Sequence, residues 1–267
     1  MKPTIDDVLA GRAQWCVLHG DNADLLPTLP EKSVDHVITD PPYEAAAHTK
    51  QRRINRDMVA ARNGGGRQVE VEALSFAPIS EAERGLVAAQ FGRITKRWCI
   101  AFCQVEAAVK WSDVLGGAQL RTQRIGVWVK PDGMPQFTGD RPGMGYETLV
   151  FAHAKGRSRW NGGGRTGVFT HNKGGDERTG HQTQKPVSLM RELVELFTDP
   201  GDVVLDPFCG SGTTGLACLQ LGRRFIGFEL NEEYARIAND RLAAEGRGLS
   251  LRDARAGQTS IFDLVAP

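Results

Sequence analysis

Short apolar runs recur at both ends of this chain, each stopped by an acidic or proline turn. Val17–His19 stops at Gly20-Asp21-Asn22, and Val34–Thr39 stops at Asp40-Pro41-Pro42. Trp98–Cys103, Ile125–Val129 and Thr148–His153 are again β-branched or aromatic and of strand length. After Pro186 a helical period takes over. Leu189, Leu193, Leu196 and Phe197 fall on one helix face, with proline at the permitted start and Asp199-Pro200-Gly201 at the end. Val203–Leu205 and Arg224–Phe228 flank Thr213–Leu221, and Asn231 is placed to cap a helix whose first turn holds Glu232 and Glu233. Strand, helix, strand, helix predicts an α/β fold with a mostly parallel sheet, helices on both faces, and ligands at the strand carboxyl ends.

Two stretches break the pattern. Glu44 to about Ser75 and Gly156 to about Gly180 are rich in Arg, Gly and Asn, with weak periodicity. Loops this long in a compact domain are usually functional or mobile. The expected organisation is one catalytic domain over residues 1–267. Within it, 44–75 form a basic insertion, 131–180 a loop-rich region and 246–267 a C-terminal tail.

Charge sharpens that picture. With 33 basic and 32 acidic residues the net charge is +1, which excludes a uniformly basic nucleic-acid binder. The balance is an average of opposites: residues 1–43 and 181–267 are net acidic, whereas 44–70 and 120–180 are net basic. Lys50, Arg52, Arg53 and Arg56, with Lys155, Arg157, Arg159 and Arg165, are the candidates for phosphate contact; the plainer reading is solvated loop charge. The first twelve residues lack the apolar core of a secretory signal, and no run suffices to span a bilayer. The five cysteines are scattered, without a CxxC or Cys/His cluster, so no metal site is expected. The expectation is a cytoplasmic, reduced protein with no membrane partner.

Gly210-Ser211-Gly212-Thr213-Thr214-Gly215 follows one strand and opens a helix, and Glu229 ends the next strand. A glycine turn of this spacing, with an acid to hold a ribose, serves adenosine-containing cofactors. A nicotinamide dinucleotide and S-adenosylmethionine both qualify. Asp206 at the strand tip favours the second, because a carboxylate there repels a pyrophosphate but attracts an α-ammonium and a sulfonium.

Asp40-Pro41-Pro42-Tyr43 ends another strand. Its plain reading is a proline turn. Its chemical reading begins from an exocyclic amine on adenine or cytosine, a poor nucleophile because its lone pair is delocalised into the ring. Two acceptors on the amine hydrogens, the Asp40 carboxylate and the Pro41 carbonyl, would localise that lone pair on nitrogen. Prolines stiffen the backbone for this role. Tyr43 would stack on a base swung out of its helix.

Together, Gly20-Asp21-Asn22, Asp40-Pro41-Pro42-Tyr43, His181-Gln182-Thr183-Gln184-Lys185-Pro186 and Asp206-Pro207-Phe208-Cys209-Gly210-Ser211-Gly212-Thr213-Thr214 resemble the motifs of amino-DNA methyltransferases, which methylate adenine N6 or cytosine N4. Their order, catalytic motif first and cofactor loop last, is that of the circularly permuted β-type subgroup. The resemblance implies a Rossmann-like S-adenosylmethionine-dependent fold acting on double-stranded DNA, as part of a restriction-modification system or alone. By position it assigns Asp40, Pro41, Pro42 and Tyr43 to catalysis. It puts Lys185 and Pro186 near the methionine carboxylate, and Asp206 with the Phe208–Thr213 backbone (Phe208, Cys209, Gly210, Gly212, Thr213) along the methionine end. Glu229 falls to the ribose and Asp21 to the adenine amino group; His181 is open between a contact and a structural role. Asp rather than Ser at the head of the tetrapeptide leans toward adenine N6, with cytosine N4 as the alternative and a nicotinamide oxidoreductase as a more distant one.

Two features depart from the family pattern. Glu44 stands where an asparagine or small residue often follows the tyrosine, and the target-recognition region is short. Base reading would then be shared by the 44–75 insertion and the Pro131–Gly145 connection, in which Phe137 is either a wedge or a local anchor. A homodimer is admissible. The end of the chain, Gln258-Thr259-Ser260-Ile261-Phe262, resembles a peptide that docks on the bacterial sliding clamp; the competing reading is a tail folded back onto its own domain.

Overall fold

The structure, a computed structural model, describes residues 2–44, 77–133, 139–173 and 184–257. Its strands are β1 (Trp15–His19), β2 (His36–Thr39), β3 (Trp98–Cys103), β4 (Arg121–Val129), β5 (Tyr146–His153), β6 (Val168–Thr170), β7 (Val203–Asp206) and β8 (Arg224–Glu229). They join one sheet in the order β1-β8-β7-β2-β3-β5-β4-β6. β5 alone runs against its neighbours, pairing antiparallel with β3 and β4; the other pairings are parallel. This is the Rossmann-like methyltransferase arrangement, mostly parallel and flanked by helices.

Side-chain alternation along the strands divides the core into two layers. Val37, Cys99, Ala101, Val150, Leu205 and Phe228 face one side, against Phe91 and Ile94 of α3 (Glu81–Ile94) and Trp111 and Leu115 of α4 (Ala108–Gly117). Ile38, Ile100, Phe102, Leu149, Val204 and Phe225 face the other. There they meet Leu189 and Leu193 of α5 (Val187–Phe197), Leu216 and Ala217 of α6 (Thr213–Gln220), and Ala238 and Leu242 of α7 (Glu232–Glu245). The face predicted from Leu189, Leu193, Leu196 and Phe197 is the buried face of α5. Short helices α1 (Ile5–Leu9) and α2 (Asn22–Leu25) flank β1, and α8 (Leu251–Arg255) closes the described chain.

The structure corrects some boundaries. β4 begins four residues before the expected Ile125 because its first half is an outer edge: β6 covers only Val127–Val129, so Arg121, Gln123 and Arg124 can be polar there. The stretch around Gly156–Gly180 is not all loop, since β6 lies within it; three residues are too few to show a period. Likewise α8 lies in the expected tail, capped by the Ser250 side chain and held by buried Leu251. Among the described residues no helix is long and apolar enough to cross a membrane. No cluster of His, Cys, Asp and Glu among them could hold a metal ion.

Candidate active site

Between β7 and β2 the sheet changes direction of growth: β7 leads to β8 on one side, while β2 lies beside β3 on the other. Connections diverge there, leaving a crevice at the carboxyl ends. Asp206 ends β7 and Asp40 follows β2 directly. The strands are cross-linked at that point, because the Thr39 hydroxyl donates to Asp206 Oδ1 at 2.7 Å. The Thr214 hydroxyl donates to Oδ2 at 2.6 Å and the Phe208 N–H to Oδ1 at 3.1 Å. Burial nevertheless dominates these donors and pushes the Asp206 carboxyl up to about 6.

The glycine loop is shaped by its packing. Gly212 has φ 79°, and a Cβ there would come within 3.0 Å of the Ala238 Cβ on α7. Arg241, buried on the same helix, donates to the Ser211 carbonyl at 3.3 Å and to Thr213 Oγ1 at 3.1 Å. α7 therefore holds the loop from behind. In front, both Glu229 oxygens accept backbone N–H groups, Gly210 at 2.8 Å and Asn231 at 2.9 Å. β1 runs beside β8 with His19 opposite Glu229, so Asp21, which caps α2 through the Ala23 N–H at 2.8 Å, stands at the neighbouring strand end. The Cys209 thiol is buried, and burial pushes its pKa far above the ordinary value, so it is no nucleophile.

The tetrapeptide meets a buried charge cluster. Lys185, immediately before the Pro186 cap of α5, pairs with Asp40 Oδ2 and lies 3.3 Å from Glu147 Oε2. Its ammonium sits 5.3 Å from the Phe102 ring centre and 5.6 Å from that of Tyr43. The Tyr43 hydroxyl donates to Glu147 Oε2 at 2.7 Å, and Lys130 pairs with Glu147 Oε1. Burial works against every charge here. It raises Asp40 in spite of Lys185. The two lysines overcome it at Glu147 and bring that carboxyl down to about 2, while the two carboxylates hold Lys185 above its usual value. Asp40 Oδ1 is buried without a hydrogen-bond partner.

The fold thus gathers Asp21, Asp40, Pro41, Pro42, Tyr43, Lys185, Pro186, Asp206, the 208–213 loop and Glu229 at one end of the sheet. It does not bring Lys155, Arg157 and Arg159 there. They follow β5, whose reversed direction delivers them beside Trp98 and Arg121, at the opposite end; the Trp98 indole donates to the Arg159 carbonyl at 2.7 Å. Arg165 is engaged with Glu192 of α5. Lys50, Arg52, Arg53, Arg56, Phe137, His181 and Gln258–Phe262 lie outside the described residues. Sequence reasoning missed Thr39, Lys130, Glu147 and Arg241. Only Arg241 left a signal, a charge on the same helix face as buried Ala238 and Leu242.

The sheet order and the crevice at its carboxyl end are those of the Rossmann-like methyltransferase fold. A family model described as DNA methylase matches residues 115–240. The type II methyltransferase M.HinfI of Haemophilus influenzae is 28% identical over 264 residues, covering 91% of this chain and 70% of that protein. The type II methyltransferase M.XycI of Xanthomonas campestris pv. cyanopsidis is 39% identical over 131 residues, 45% of this chain and 43% of that protein. The crystal structure of the M1.HpyAVI–SAM complex aligns with a TM-score of 0.64 and 26% identity, over 85% of this chain and 98% of that one. The PvuII DNA methyltransferase, cytosine-N4-specific, shares the fold at a TM-score of 0.65 and 15% identity, over 85% of this chain and 86% of that one. The chain thus matches the DNA methylase family model over residues 115–240 and is similar to M.HinfI and M1.HpyAVI over most of its length.

Proposed function

We propose that this chain transfers a methyl group from S-adenosylmethionine to the exocyclic N6 amino group of an adenine turned out of duplex DNA. The observation that carries this reading is Asp40, a half-buried carboxylate with one oxygen fixed by Lys185 and the other, Oδ1, buried without a hydrogen-bond partner. An unsatisfied buried acceptor costs about 1–3 kcal/mol, which a donor on the substrate would relieve. An exocyclic amine has two such donors, and the rigid Pro41 carbonyl is the natural acceptor for the second. With both hydrogens held, the lone pair is localised on nitrogen. Methylation leaves one proton too many on that nitrogen, and Asp40, its carboxyl raised by burial, is suited to receive it.

The residues at the glycine loop fit S-adenosylmethionine by their chemistry. Asp206 is an acidic, desolvated group suited to a cationic methionine end, and Glu229 with Asp21 suits ribose hydroxyls and an adenine amine. When bound, the sulfonium supplies the methyl group. The M1.HpyAVI structure of similar fold is a complex with SAM. Cytosine N4 remains the second reading, since its amine presents the same donors; aspartate at the head of the tetrapeptide favours adenine.

Incubating the protein with duplex DNA of varied sequence and labelled S-adenosylmethionine, then digesting to nucleosides, tests the assignment. N6-methyladenine is expected. N4-methylcytosine would transfer the assignment to the second reading, and no methylation while the cofactor binds would sink both.

Asp206 gives a pH prediction. Its folded pKa of about 6 lies above its unfolded value, so its neutral form favours folding and that contribution is lost as pH rises through 6. A shift of this size corresponds to about 3 kcal/mol. Thermal melts of the cofactor-free protein should show Asp206→Asn becoming relatively more stable than wild type between pH 4 and 7. Parallel pH curves for the two would contradict the assignment of the shift to Asp206.

A further inference from the structure

Glu147 stands at the start of the one reversed strand, and that reversal is what brings it to the crevice. β5 enters the sheet from the carboxyl ends of β3 and β4, with Thr148 opposite Cys103 and Tyr146 opposite Val129. A strand running the other way would deliver its last residue to this spot instead of its first. Glu147 receives three donors from three different elements: the Tyr43 hydroxyl from the end of the tetrapeptide, the Lys185 ammonium from the start of α5, and the Lys130 ammonium from the end of β4. Its side chain is only 17% exposed. Its hydrogen-bond and ion-pair partners among the described residues do not include Asp40, yet it holds Tyr43 and Lys185, the residues on either side of that carboxylate.

Resting on the methyl-transfer reading above, we propose that Glu147 is a positioning residue that sets the geometry and protonation of the catalytic carboxylate through Lys185. The physical argument has two parts. Without Glu147, Lys185 would have Asp40 as its remaining carboxylate partner in the cluster, and the ammonium would be free to bridge both Asp40 oxygens. By drawing the ammonium toward itself, Glu147 confines the contact to Oδ2 and leaves Oδ1 for a substrate amine. The second part is charge. Lys130 and Lys185 face Glu147 and Asp40, so the cluster is balanced. Tyr43 stays a neutral phenol, its pKa raised by burial and by the two carboxylates. Asp206 is the further acid close enough to feel Asp40, and it is held by Thr39, Thr214 and the Phe208 N–H. The nearby Cys103 thiol is pushed up to about 11 by burial and remains neutral.

That balance makes the signs of two substitutions opposite. Glu147→Gln removes a negative charge, so Asp40 ionises more readily and the acid limb of kcat/KM moves to lower pH. Lys130→Met removes a positive charge, and the same limb moves to higher pH. A residue that merely supported the fold would lower stability without moving either limb.

The experiment is the pH dependence of methyl transfer to duplex DNA for wild type, Glu147→Gln, Glu147→Asp and Lys130→Met, with the Kd for S-adenosylmethionine measured by titration. Glu147→Gln is expected to lower kcat about 30-fold, within the range seen for one preorganised polar group, with the cofactor Kd changed less than threefold. Glu147→Asp, which keeps the charge, should recover part of that loss. An unmoved acid limb in Lys130→Met, or a Glu147→Gln enzyme with wild-type kcat, would overturn the proposal. If Glu147→Gln does not fold, the Lys130→Met limb decides alone. Failure of the wild-type protein to methylate DNA would instead strike at the functional reading, so the two failures are distinct.

Discussion

Asp40→Asn is expected to lower kcat for methyl transfer by about 10³-fold while leaving the Kd for S-adenosylmethionine within about threefold. Asparagine keeps the size and one acceptor, but it brings an amide that faces Lys185 or the substrate amine with a donor. Either orientation removes one of the two interactions the carboxylate makes possible. The fold should tolerate the change, because Lys185 retains Glu147 at 3.3 Å. Cofactor affinity should hold because the acids suited to it, Asp206 and Glu229, take their hydrogen bonds from Thr39, Thr214 and backbone N–H groups, not from Asp40. The one electrostatic link is favourable. The negative charge of Asp40 contributes to raising Asp206, so its removal makes Asp206 slightly easier to ionise. Asp40→Ala should be at least as inactive and less stable, since it opens a hole beside a buried ammonium. Single-turnover transfer and cofactor titration on the same preparation separate the outcomes. Loss of cofactor binding in Asp40→Asn would mean that the residue supports the cofactor site and not the amine.

Much of this site was legible in the sequence because its residues are tied to local backbone geometry. A glycine loop between strand and helix, a proline-stiffened strand end and an acid at the next strand tip each depend on neighbours within about ten residues, so each leaves a compact motif. Their convergence follows from the parallel strands β1, β2, β7 and β8, whose carboxyl ends lie on one side of the sheet. Glu147 and Lys130 left no motif because their role depends on the reversal of β5, and strand direction is not written in the composition of a strand. The same reversal explains the basic residues after β5. Lys155, Arg157 and Arg159 read as candidates for phosphate contact from their clustered charge, and the antiparallel strand delivers them to the end of the sheet opposite the crevice. Helix α3 escaped prediction for a different reason. Its buried face includes Arg84 beside Val87, Ala88 and Phe91, and a charge at a core position blurs the apolar period.

That arginine gives the second large prediction. Arg84 is 2% exposed, and it pairs with Glu44, the residue directly after Tyr43. Lys110 of α4 shares the carboxylate at 2.9 Å but is 52% exposed. Removing the carboxylate therefore has unequal consequences for its partners. Lys110 turns to water, whereas Arg84 keeps its charge inside the core, where its Nε already lacks a partner. Leaving one member of a buried pair uncompensated typically costs about 3–5 kcal/mol. Glu44→Ala is expected at the lower end of that range, roughly 3 kcal/mol, or a fall in Tm of roughly 6–12 °C for a chain of this size. Arg84→Met should cost less: the flexible apolar side chain fills much of the space, and Glu44, 20% exposed, keeps Lys110. Combining Glu44→Gln with Arg84→Met should restore most of the stability that Glu44→Ala loses, because no buried charge remains. The order of the three melting temperatures decides. If Arg84→Met melts below Glu44→Ala, the dominant effect is packing of the arginine stem and not the stranded charge. Should the expected order hold, the glutamate that departs from the family pattern is the fastening that ties the end of the catalytic tetrapeptide to α3 and α4.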